Sequence, residues 1–235
     1  MKPYQEIKNV YKRDVETHQI ISGAFTNPEF EYLFDNDWNA TEKINGTNIR
    51  VQYWGSITDF ASDNGIIFKG RTEKADTPQP KLYSKLEDLF PPEKLRAVFA
   101  DADVCLYGEG YGSGIQKGGG RYIPDGVDYI LFDVFINDPE NRYGGWWLRP
   151  EDVRNTAEHL GIKYVPIIGY MGEQVPLGPT ITLRHAIEIV SAGQPSTFGD
   201  FEAEGLVLRP VVEMFARNGS RVIVKVKARD FNNEP

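Results

Sequence analysis

The sequence contains little that would serve secretion, membrane insertion or metal binding by soft ligands. Its one cysteine, Cys105, cannot form an internal disulfide, which favours a reducing cytoplasm. No apolar run approaches the ~20 residues that span a bilayer, and the N-terminus lacks the apolar core of a signal peptide. The three histidines have no carboxylates or thiols around them at metal-ligand spacing. We therefore expect a cytoplasmic protein with no membrane span and no histidine-based metal centre.

An overall excess of positive charge is also missing. Formal net charge is −8 and the sequence pI is about 5.0, which argues against a broad basic face for nucleic acid. The segment 205–235 is the exception, with six cations against three acids and a local excess of +3. Its cations are Arg209, Arg217, Arg221, Lys225, Lys227 and Arg229. Any site for a polyanion is therefore expected to be local.

The 235 residues predict one large α+β domain covering 1–235. Helices are expected where proline precedes periodic apolar residues, at 80–90, 92–100 and 150–160, and a further helix is expected at 182–192. Short runs rich in β-branched and aromatic residues predict strands in a largely antiparallel arrangement. These runs are "NIRVQYW", "GIIFKGR", "VCLYGEG", "YILFDVFI", "EGLVLRPVV" and "RVIVKVKA".

One lysine stands next to a strong turn signal. Asn45-Gly46, flanked by alternating side chains, predicts a β-hairpin turn, and Lys43 lies two residues before it. A lysine becomes a nucleophile only when its amine is deprotonated, which from a pKa of about 10.4 requires burial or nearby positive charge. Lys225 and Lys227 share one face of a strand-like run and could supply that charge. The alternative is that this face is simply the wet side of a half-buried strand.

The segment 108–122 carries seven glycines but matches neither a phosphate-binding loop nor a dinucleotide fingerprint. Two interpretations stay open. It could be a mobile surface loop, or it could order over a substrate through Lys117 and Arg121.

Three acids occupy positions where a core strand would favour an apolar residue. Glu109 lies at a strand end between glycines, where backbone can approach a ligand closely. Asp133 follows Phe132 in an otherwise apolar strand, and Glu204 stands just before Gly205 at a strand start. The pattern indicates functional acids rather than a plain core.

Five fragments occur in an order that resembles a known superfamily: "EKINGTN", "GEG", "LFDVF", "EGLVL" and "VKVK". They are similar to motifs I, III, IIIa, IV and V of the covalent nucleotidyltransferases, which include polynucleotide ligases and messenger-RNA capping enzymes. The first fragment is most similar to the RNA ligase 2 group. DNA ligases and capping enzymes usually have Asp where this chain has Asn45. The resemblance implies two largely antiparallel sheets with flanking helices and a nucleotide cleft between them, related to the ATP-grasp fold.

The resemblance also implies a three-step reaction. Lys43 would attack the α-phosphorus of ATP and displace pyrophosphate, leaving AMP on its amine. Lys225 and Lys227 would neutralise the developing charge and help to hold Lys43 unprotonated. Glu204 would bind a divalent metal, Mg²⁺ or Mn²⁺. AMP would then pass to a 5′-phosphate end, and a 3′-hydroxyl would displace it to seal the strand.

Further residues are assigned to the nucleotide by the same resemblance. Glu109 would accept hydrogen bonds from the ribose hydroxyls, and Phe132 would stack on adenine. Arg71 is similar to a family arginine that contacts phosphate or the RNA terminus. Four other positions complete the nucleotide-binding set: Glu42, Asn45, Asn48 and Asp133. The expected partner is RNA with 5′-phosphate and 3′-hydroxyl ends in a nicked duplex, and the enzyme is expected to be a monomer.

Two other functions compete with this one. A DNA ligase or a capping guanylyltransferase would carry an OB-fold domain after the last lysine motif, whereas this sequence ends eight residues after Lys227. We therefore expect an adenylyltransferase domain alone, without an OB-fold or RNA-gripping domain. A non-catalytic nucleotide- or RNA-binding module is the other alternative, and the intact nucleophile and acids argue against it.

Overall fold

A computed structural model describes residues 1–56, 65–72, 78–168 and 180–232. The chain divides into two compact units, each built from two separate stretches of sequence. Unit 1 consists of Met1–Tyr4 and Asn45–Val165, and unit 2 consists of Gln5–Ile44 and Pro166–Pro235. The assignment of 1–235 to a single adenylyltransferase domain stays a prediction.

The described residues contain five α-helices and fourteen strands. The helices are α1 (Pro28–Tyr32), α2 (Pro80–Leu89), α3 (Pro92–Phe99), α4 (Pro150–His159) and α5 (Leu183–Ser191). The first seven strands are β1 (Lys8–Asn9), β2 (Tyr11–Arg13), β3 (Ile20–Phe25), β4 (Asp37–Glu42), β5 (Thr47–Trp54), β6 (Ile66–Gly70) and β7 (Asp103–Gly112). The others are β8 (Val127–Asn137), β9 (Gly145–Trp147), β10 (Lys163–Tyr164), β11 (Ile167–Ile168), β12 (Ile181–Thr182), β13 (Gly205–Pro210) and β14 (Val224–Lys227).

Unit 1 is a six-stranded sheet with helices packed on its apolar side chains. The strand order is β10-β8-β7-β5-β6, with β9 paired to β8, and only β10 runs parallel to its neighbour. Leu82 and Leu86, one turn apart on α2, are fully buried in this core together with Leu95 of α3. A proline at the start of α2, α3 and α4 fixes the first helical turn, as the sequence predicts.

Unit 2 is built on a second six-stranded sheet, in the order β1-β14-β13-β4-β11, with β12 paired to β4. Only β1 and β14 run parallel. In β14 the residues alternate, so that Val224 and Val226 are buried while Lys225 and Lys227 are half-buried. The predicted lysine face of this strand is therefore confirmed. Its apolar face packs with Trp38, Leu206 and the buried side of α5.

The expected fold class is confirmed: the described residues form an α+β arrangement of two six-stranded, largely antiparallel sheets, with a small third sheet of β2 and β3 and flanking helices. The four predicted helices are present within a residue or two of their expected ends, whereas α1 was not predicted. The run "RVIVKVKA" forms a strand only at Val224–Lys227, and a 3-10 helix at Ala228–Asp230 ends the strand. No helix in the described part of the chain is both long enough and apolar enough to cross a bilayer.

The hairpin predicted at Asn45-Gly46 is wrong. Across the described residues 37–54, β4 pairs with β11, β12 and β13, whereas β5 pairs with β6 and β7, so the two strands belong to different sheets. A type I′ turn needs a positive φ at both central residues, and neither Asn45 nor Gly46 has one. Gly46 is instead required by close packing, because a Cβ there would lie 2.3 Å from the carbonyl oxygen of Gly110.

The close packing at Gly46 can be tested by adding one methyl group. Gly46→Ala forces the Gly110 backbone to move, and overpacking of this kind costs about 1–3 kcal/mol. The matched control is Gly120→Ala, where a Cβ meets no atom within 4 Å and which should change stability by less than about 0.5 kcal/mol. Urea unfolding of both variants measures the difference. Equal urea midpoints for the two variants would show that the contact between Gly46 and the backbone of Gly110 does not exclude a side chain at residue 46.

Candidate active site

Lys43 lies where β4 and β13 meet in unit 2. Its backbone N–H donates to the carbonyl oxygen of Gly205 at 2.9 Å, which continues the pairing of these strands beyond Glu42. Its Nζ forms an ion pair with Oε2 of Glu204 at 2.6 Å, and both side chains are 22% exposed. Two residues 161 positions apart in the sequence thus form the centre of the candidate site.

Lys227 joins this pair because Gly205 lets β13 and β14 approach closely. Gly205 and Lys227 are opposite each other in the two strands, and a Cβ at Gly205 would lie 2.0 Å from the carbonyl oxygen of Val226. The backbone N–H of Ala228 also donates to the carbonyl oxygen of Glu204 at 3.0 Å. The register therefore places the last lysine of β14 beside the start of β13.

Burial and neighbouring charge change the titration of Lys227. Burial, followed by the positive charges of Lys225, Arg229 and Lys43, lowers the pKa of Lys227 to about 8, and Glu204 acts in the opposite direction. Desolvation and like charge both disfavour a protonated amine. The prediction that Lys225 and Lys227 help to hold Lys43 unprotonated stays a prediction.

Glu42, immediately before the nucleophile candidate, is directed into the interior of unit 2. Its side chain is buried, Oε1 accepts a hydrogen bond from Oγ of Ser196 at 2.6 Å, and Oε2 accepts from N and Oγ1 of Thr197 at 2.8 and 2.7 Å. These contacts fix the end of β4 at the residue before Lys43. Sequence reasoning missed Ser196 and Thr197, because a Ser-Thr pair in a loop has no distinguishing signal.

Asn48 and Glu109 lie opposite each other on β5 and β7 in unit 1. Glu109 also approaches Gly46 closely, since a Cβ on Gly46 would lie 2.7 Å from Cγ of Glu109. The side-chain oxygen of Asn48 is buried and has no hydrogen-bond partner among the described residues. A buried acceptor without a partner is uncommon in proteins, and one explanation is a ligand that supplies the missing donor.

Phe132 and Asp133 lie at an irregularity in the pairing of β7 with β8. Tyr107 pairs with Asp133 and Gly108 with Leu131, so Phe132 is the extra residue of a β-bulge. The ring of Phe132 meets Tyr4 edge-on, with centroids 5.1 Å apart. Asp133 is fully buried, and its Oδ2 accepts a hydrogen bond from the Tyr4 hydroxyl at 2.8 Å. Tyr4 thus holds both the predicted adenine-stacking ring and its acidic neighbour.

Arg71 is exposed just after β6, and its backbone is held by a residue that sequence reasoning missed. Arg50 is fully buried, and its guanidinium donates to the carbonyl oxygens of Gly70 at 2.8 Å and Thr72 at 3.0 Å, on either side of Arg71. The only sequence signal for Arg50 is a cation within an apolar strand.

A cavity of about 530 Å³ lies beside Arg71 in unit 1. Arg71 and Asn48 both line it, together with other residues from the start of β5 and residues of the glycine-rich segment. The side-chain oxygen of Asn48 has no hydrogen-bond partner among the described residues. Its other polar side chains are Thr47, Gln79 and Gln116. The cavity is large enough for part of a small polar ligand.

The segment 113–122 is a hydrogen-bonded loop that contains both buried and exposed residues. The two interpretations of the glycine-rich segment, as a mobile surface loop or as a loop that orders over a substrate through Lys117 and Arg121, stay predictions. Its backbone bonds include Gly119 N–H to the Gln116 carbonyl at 2.9 Å and Tyr122 N–H to the Gly119 carbonyl at 3.0 Å. Gly119 packs so closely on Gly112 that a Cβ would lie 2.1 Å from its carbonyl oxygen. Gly119 therefore serves close packing within the loop, whereas a Cβ at Gly114 or Gly120 would meet no atom within 4 Å.

The predicted site residues fall into two sets, one in each unit. Unit 2 carries Glu42, Lys43, Glu204, Lys225 and Lys227, of which Lys43, Glu204 and Lys227 are in one cluster. Unit 1 carries Asn45, Asn48, Arg71, Glu109, Phe132 and Asp133. The predicted contacts of these residues with a nucleotide stay predictions.

Comparison with protein families gives one match over most of the chain. The family model described as RNA ligase matches residues 36–227, a range that contains every predicted site residue. No curated protein sequence is significantly similar to the chain.

Solved structures of Naegleria gruberi RNA ligase are similar in fold. A mutant with AMP and Mn is 22% identical, with a TM-score of 0.58 over 87% of this chain and 53% of that chain. A mutant with ATP and Mn is 19% identical, with a TM-score of 0.59 over 98% and 62% of the two chains. The ligase with PPi is 19% identical, with a TM-score of 0.59 over 97% and 62%. The chain thus spans between about half and two thirds of the length of these ligases.

The titration of Lys227 provides a direct test of the cluster. Trace labelling with an amine-reactive reagent across a pH series, read by mass spectrometry, should give a midpoint for Lys227 near 8, against about 10.4 for a free lysine. Lys225→Ala removes a positive neighbour and should raise the pKa of Lys227, whereas Glu204→Gln removes the carboxylate and should lower it. Shifts in the opposite directions would contradict the observed arrangement of charges.

Proposed function

Because the chain belongs to the RNA ligase family, we propose that it is an ATP-dependent RNA ligase in which Lys43 carries AMP from ATP to a 5′-phosphate end. The observation that carries the proposal is the cluster of Lys43, Glu204 and Lys227 at the junction of β4, β13 and β14. It places a candidate nucleophile, an oxygen ligand and a partly buried cation together. The substrate is RNA with 5′-phosphate and 3′-hydroxyl ends, in a nicked duplex.

The proposed reaction has three displacements at phosphorus. In the first, Nζ of Lys43 bonds to the α-phosphorus of ATP, the bond to pyrophosphate breaks and the amine loses its proton. In the second, an oxygen of the RNA 5′-phosphate attacks that phosphorus and the bond to Lys43 breaks. In the third, the 3′-hydroxyl attacks the activated 5′-phosphate, AMP leaves and the strand is sealed.

The ion pair with Glu204 bears on the first step. Attack requires a free lone pair on Nζ, so the ammonium of Lys43 has to leave the carboxylate and release its proton before the P–N bond forms. Lys227, with a pKa of about 8, is mostly protonated at neutral pH and supplies positive charge to the α-phosphate. Lys225, on the same face of β14, adds a second cation.

A divalent cation, Mg²⁺ or Mn²⁺, fits the donor chemistry at Glu204. In the described part of the chain no three Asp, Glu, His or Cys side chains are grouped to enclose a metal. A single carboxylate suits an ion that keeps several waters and binds substrate phosphates. When bound, such an ion neutralises phosphate charge. The Naegleria gruberi structures that contain ATP or AMP also contain Mn, which supports this proposal.

The residues of unit 1 are assigned to the nucleoside and to the phosphate. Glu109 accepts hydrogen bonds from the ribose, Phe132 stacks on adenine, and Arg71 contacts a phosphate. The buried oxygen of Asn48, which lacks a partner among the described residues, supports a ligand at this strand pair. Glu42 acts indirectly, because Ser196 and Thr197 occupy its carboxylate.

Covalent labelling tests the nucleophile. The protein incubated with Mg²⁺ and ATP radiolabelled at the α-phosphate should carry label through a denaturing gel, and Lys43→Ala should abolish it, because the substitution removes the attacking amine. The matched control, Lys12→Ala, removes an exposed lysine of β2 and should leave labelling unchanged. Label that persists on Lys43→Ala would refute this role. Label from GTP alone would instead indicate a capping guanylyltransferase.

The second test separates the nucleotide step from sealing. Glu204→Ala, Lys225→Ala and Lys227→Ala should each slow adenylation by on the order of a hundredfold or more, since losses of preorganised transition-state charge have that size. Single-turnover adenylation without RNA is the measurement, followed by sealing of nicked RNA duplexes. Variants that adenylate normally and fail only in sealing would show that these residues do not act on the nucleotide.

A further inference from the structure

Asn45 is the first residue of unit 1 after the stretch that carries Lys43, and it makes two separate contacts with the glycine-rich segment. Its backbone N–H donates to the hydroxyl oxygen of Tyr122 at 3.2 Å. Its side-chain Nδ2 donates to the carbonyl oxygen of Lys117 at 3.2 Å. The two acceptors lie at opposite ends of the short 3-10 helix Gly119–Arg121, so one residue holds both sides of it.

The acceptor side of this contact is itself fixed. The ring of Tyr122 packs edge-on against Tyr111, with centroids 5.8 Å apart. The Tyr111 hydroxyl accepts a hydrogen bond from Nζ of Lys163 at 3.0 Å, and Lys163 forms an ion pair with Asp128 at 3.0 Å. Asn45 is therefore joined to a segment that is anchored to the sheet on its other side.

The chemistry of the side chain is specific. The partner of Nδ2 is a carbonyl oxygen, which can only accept, so the contact needs a donor. Aspartate has the same shape but would place a carboxylate oxygen against that carbonyl. Alanine would remove the side-chain bond and keep the backbone bond to Tyr122. The two contacts can thus be removed independently.

The held segment forms part of a candidate ligand site. Ile115 and Gln116, just before Lys117, line the cavity that also contains Asn48 and Arg71. Gly46, directly after Asn45, packs closely on the side chain of Glu109. A contact that fixes Lys117 therefore fixes one wall of this cavity relative to the start of β5.

We propose that Asn45 is a positioning residue, which clamps the glycine-rich segment through Lys117 and Tyr122 so that the wall formed by Ile115 and Gln116 is in place before ATP binds. The inference rests on the proposed function, since it concerns the binding of the same nucleotide. It predicts an effect on the concentration of ATP needed, with little effect on the rate at saturation, because a residue that acts through the cavity wall changes binding rather than the chemical step.

The contacts of Asn45 with Lys117 and Tyr122 are tested first by trypsin cleavage, a measurement that requires no enzymatic activity of the protein. Trypsin can cut after Lys117 and after Arg121, and in the intact protein the compact loop should resist both cuts. Asn45→Asp and Tyr122→Phe should each raise the rate of cleavage at these two positions, while cleavage at other sites stays unchanged. The matched control is Asn141→Asp, in an exposed turn where the side-chain oxygen accepts from Tyr143 N–H and a carboxylate can do the same. Unchanged cleavage in both clamp variants would overturn the inference.

The nucleotide effect is measured next on the same variants. Asn45→Asp should raise the ATP concentration for half-maximal adenylation roughly three- to tenfold, the range expected for losing one net hydrogen bond. Asn45→Ala, which loses the bond to Lys117 without placing a carboxylate against its carbonyl oxygen, should have a smaller effect, and Asn141→Asp none. Faster cleavage with an unchanged ATP requirement would overturn the positioning role.

Should Asn45→Asp fail to fold, Asn45→Ala and Tyr122→Phe decide the same question. A wild-type protein that never adenylates would refute the proposed function and with it the positioning role. The cleavage pattern would still show whether the clamp exists, so the two failures are distinguishable.

Discussion

The pairing of β4 with β13 is the constraint on which the candidate site of unit 2 depends. Its register brings the end of one strand to the start of the other and places Nζ of Lys43 2.6 Å from Oε2 of Glu204. Gly205 allows β14 to approach closely enough for Lys227 to join the pair. An ion pair that is 22% exposed on both sides is screened less than a surface pair, yet water can still reach it. In this partly exposed environment Lys43 can exchange one ion-pair partner for another.

Three buried charges lie next to candidate site residues, and two of them, Glu42 and Asp133, are themselves predicted site residues. Glu42 precedes Lys43, Asp133 follows Phe132, and the guanidinium of Arg50 bonds to the carbonyl oxygens on either side of Arg71. Burying a charge is unfavourable unless hydrogen bonds compensate, and each of these groups has such bonds. Arg50 fixes the backbone on either side of Arg71, whereas Glu42 and Asp133 are held by hydrogen bonds from Ser196, Thr197 and Tyr4.

Local sequence patterns predicted the features that depend on interactions between residues close together in the sequence. Prolines and apolar periodicity located four helices, and the period of two in "VKVK" identified the lysine face of β14. The Asn45-Gly46 pattern failed because strand pairing depends on distant partners, and Gly46 is needed for its contact with Gly110 rather than for a turn. The motifs identified Lys43, Glu204 and Lys227, which the fold brings together. They gave no indication of Ser196, Thr197 or Arg50, whose roles arise from contacts over long distances in sequence.

The division of each unit between two stretches of sequence has a consequence for biosynthesis. Lys43 leaves the ribosome 161 residues ahead of Glu204, a delay of roughly ten to thirty seconds at ordinary rates of translation. During that interval β4 lacks the strand that pairs along most of its length, and its unpaired edge is open to incorrect partners. Unit 1, whose larger stretch ends at Val165, can complete its sheet before β13 and β14 are made. Lys43 is therefore synthesised early, whereas its ion pair with Glu204 can form only late, once nearly all of the chain is available to fold.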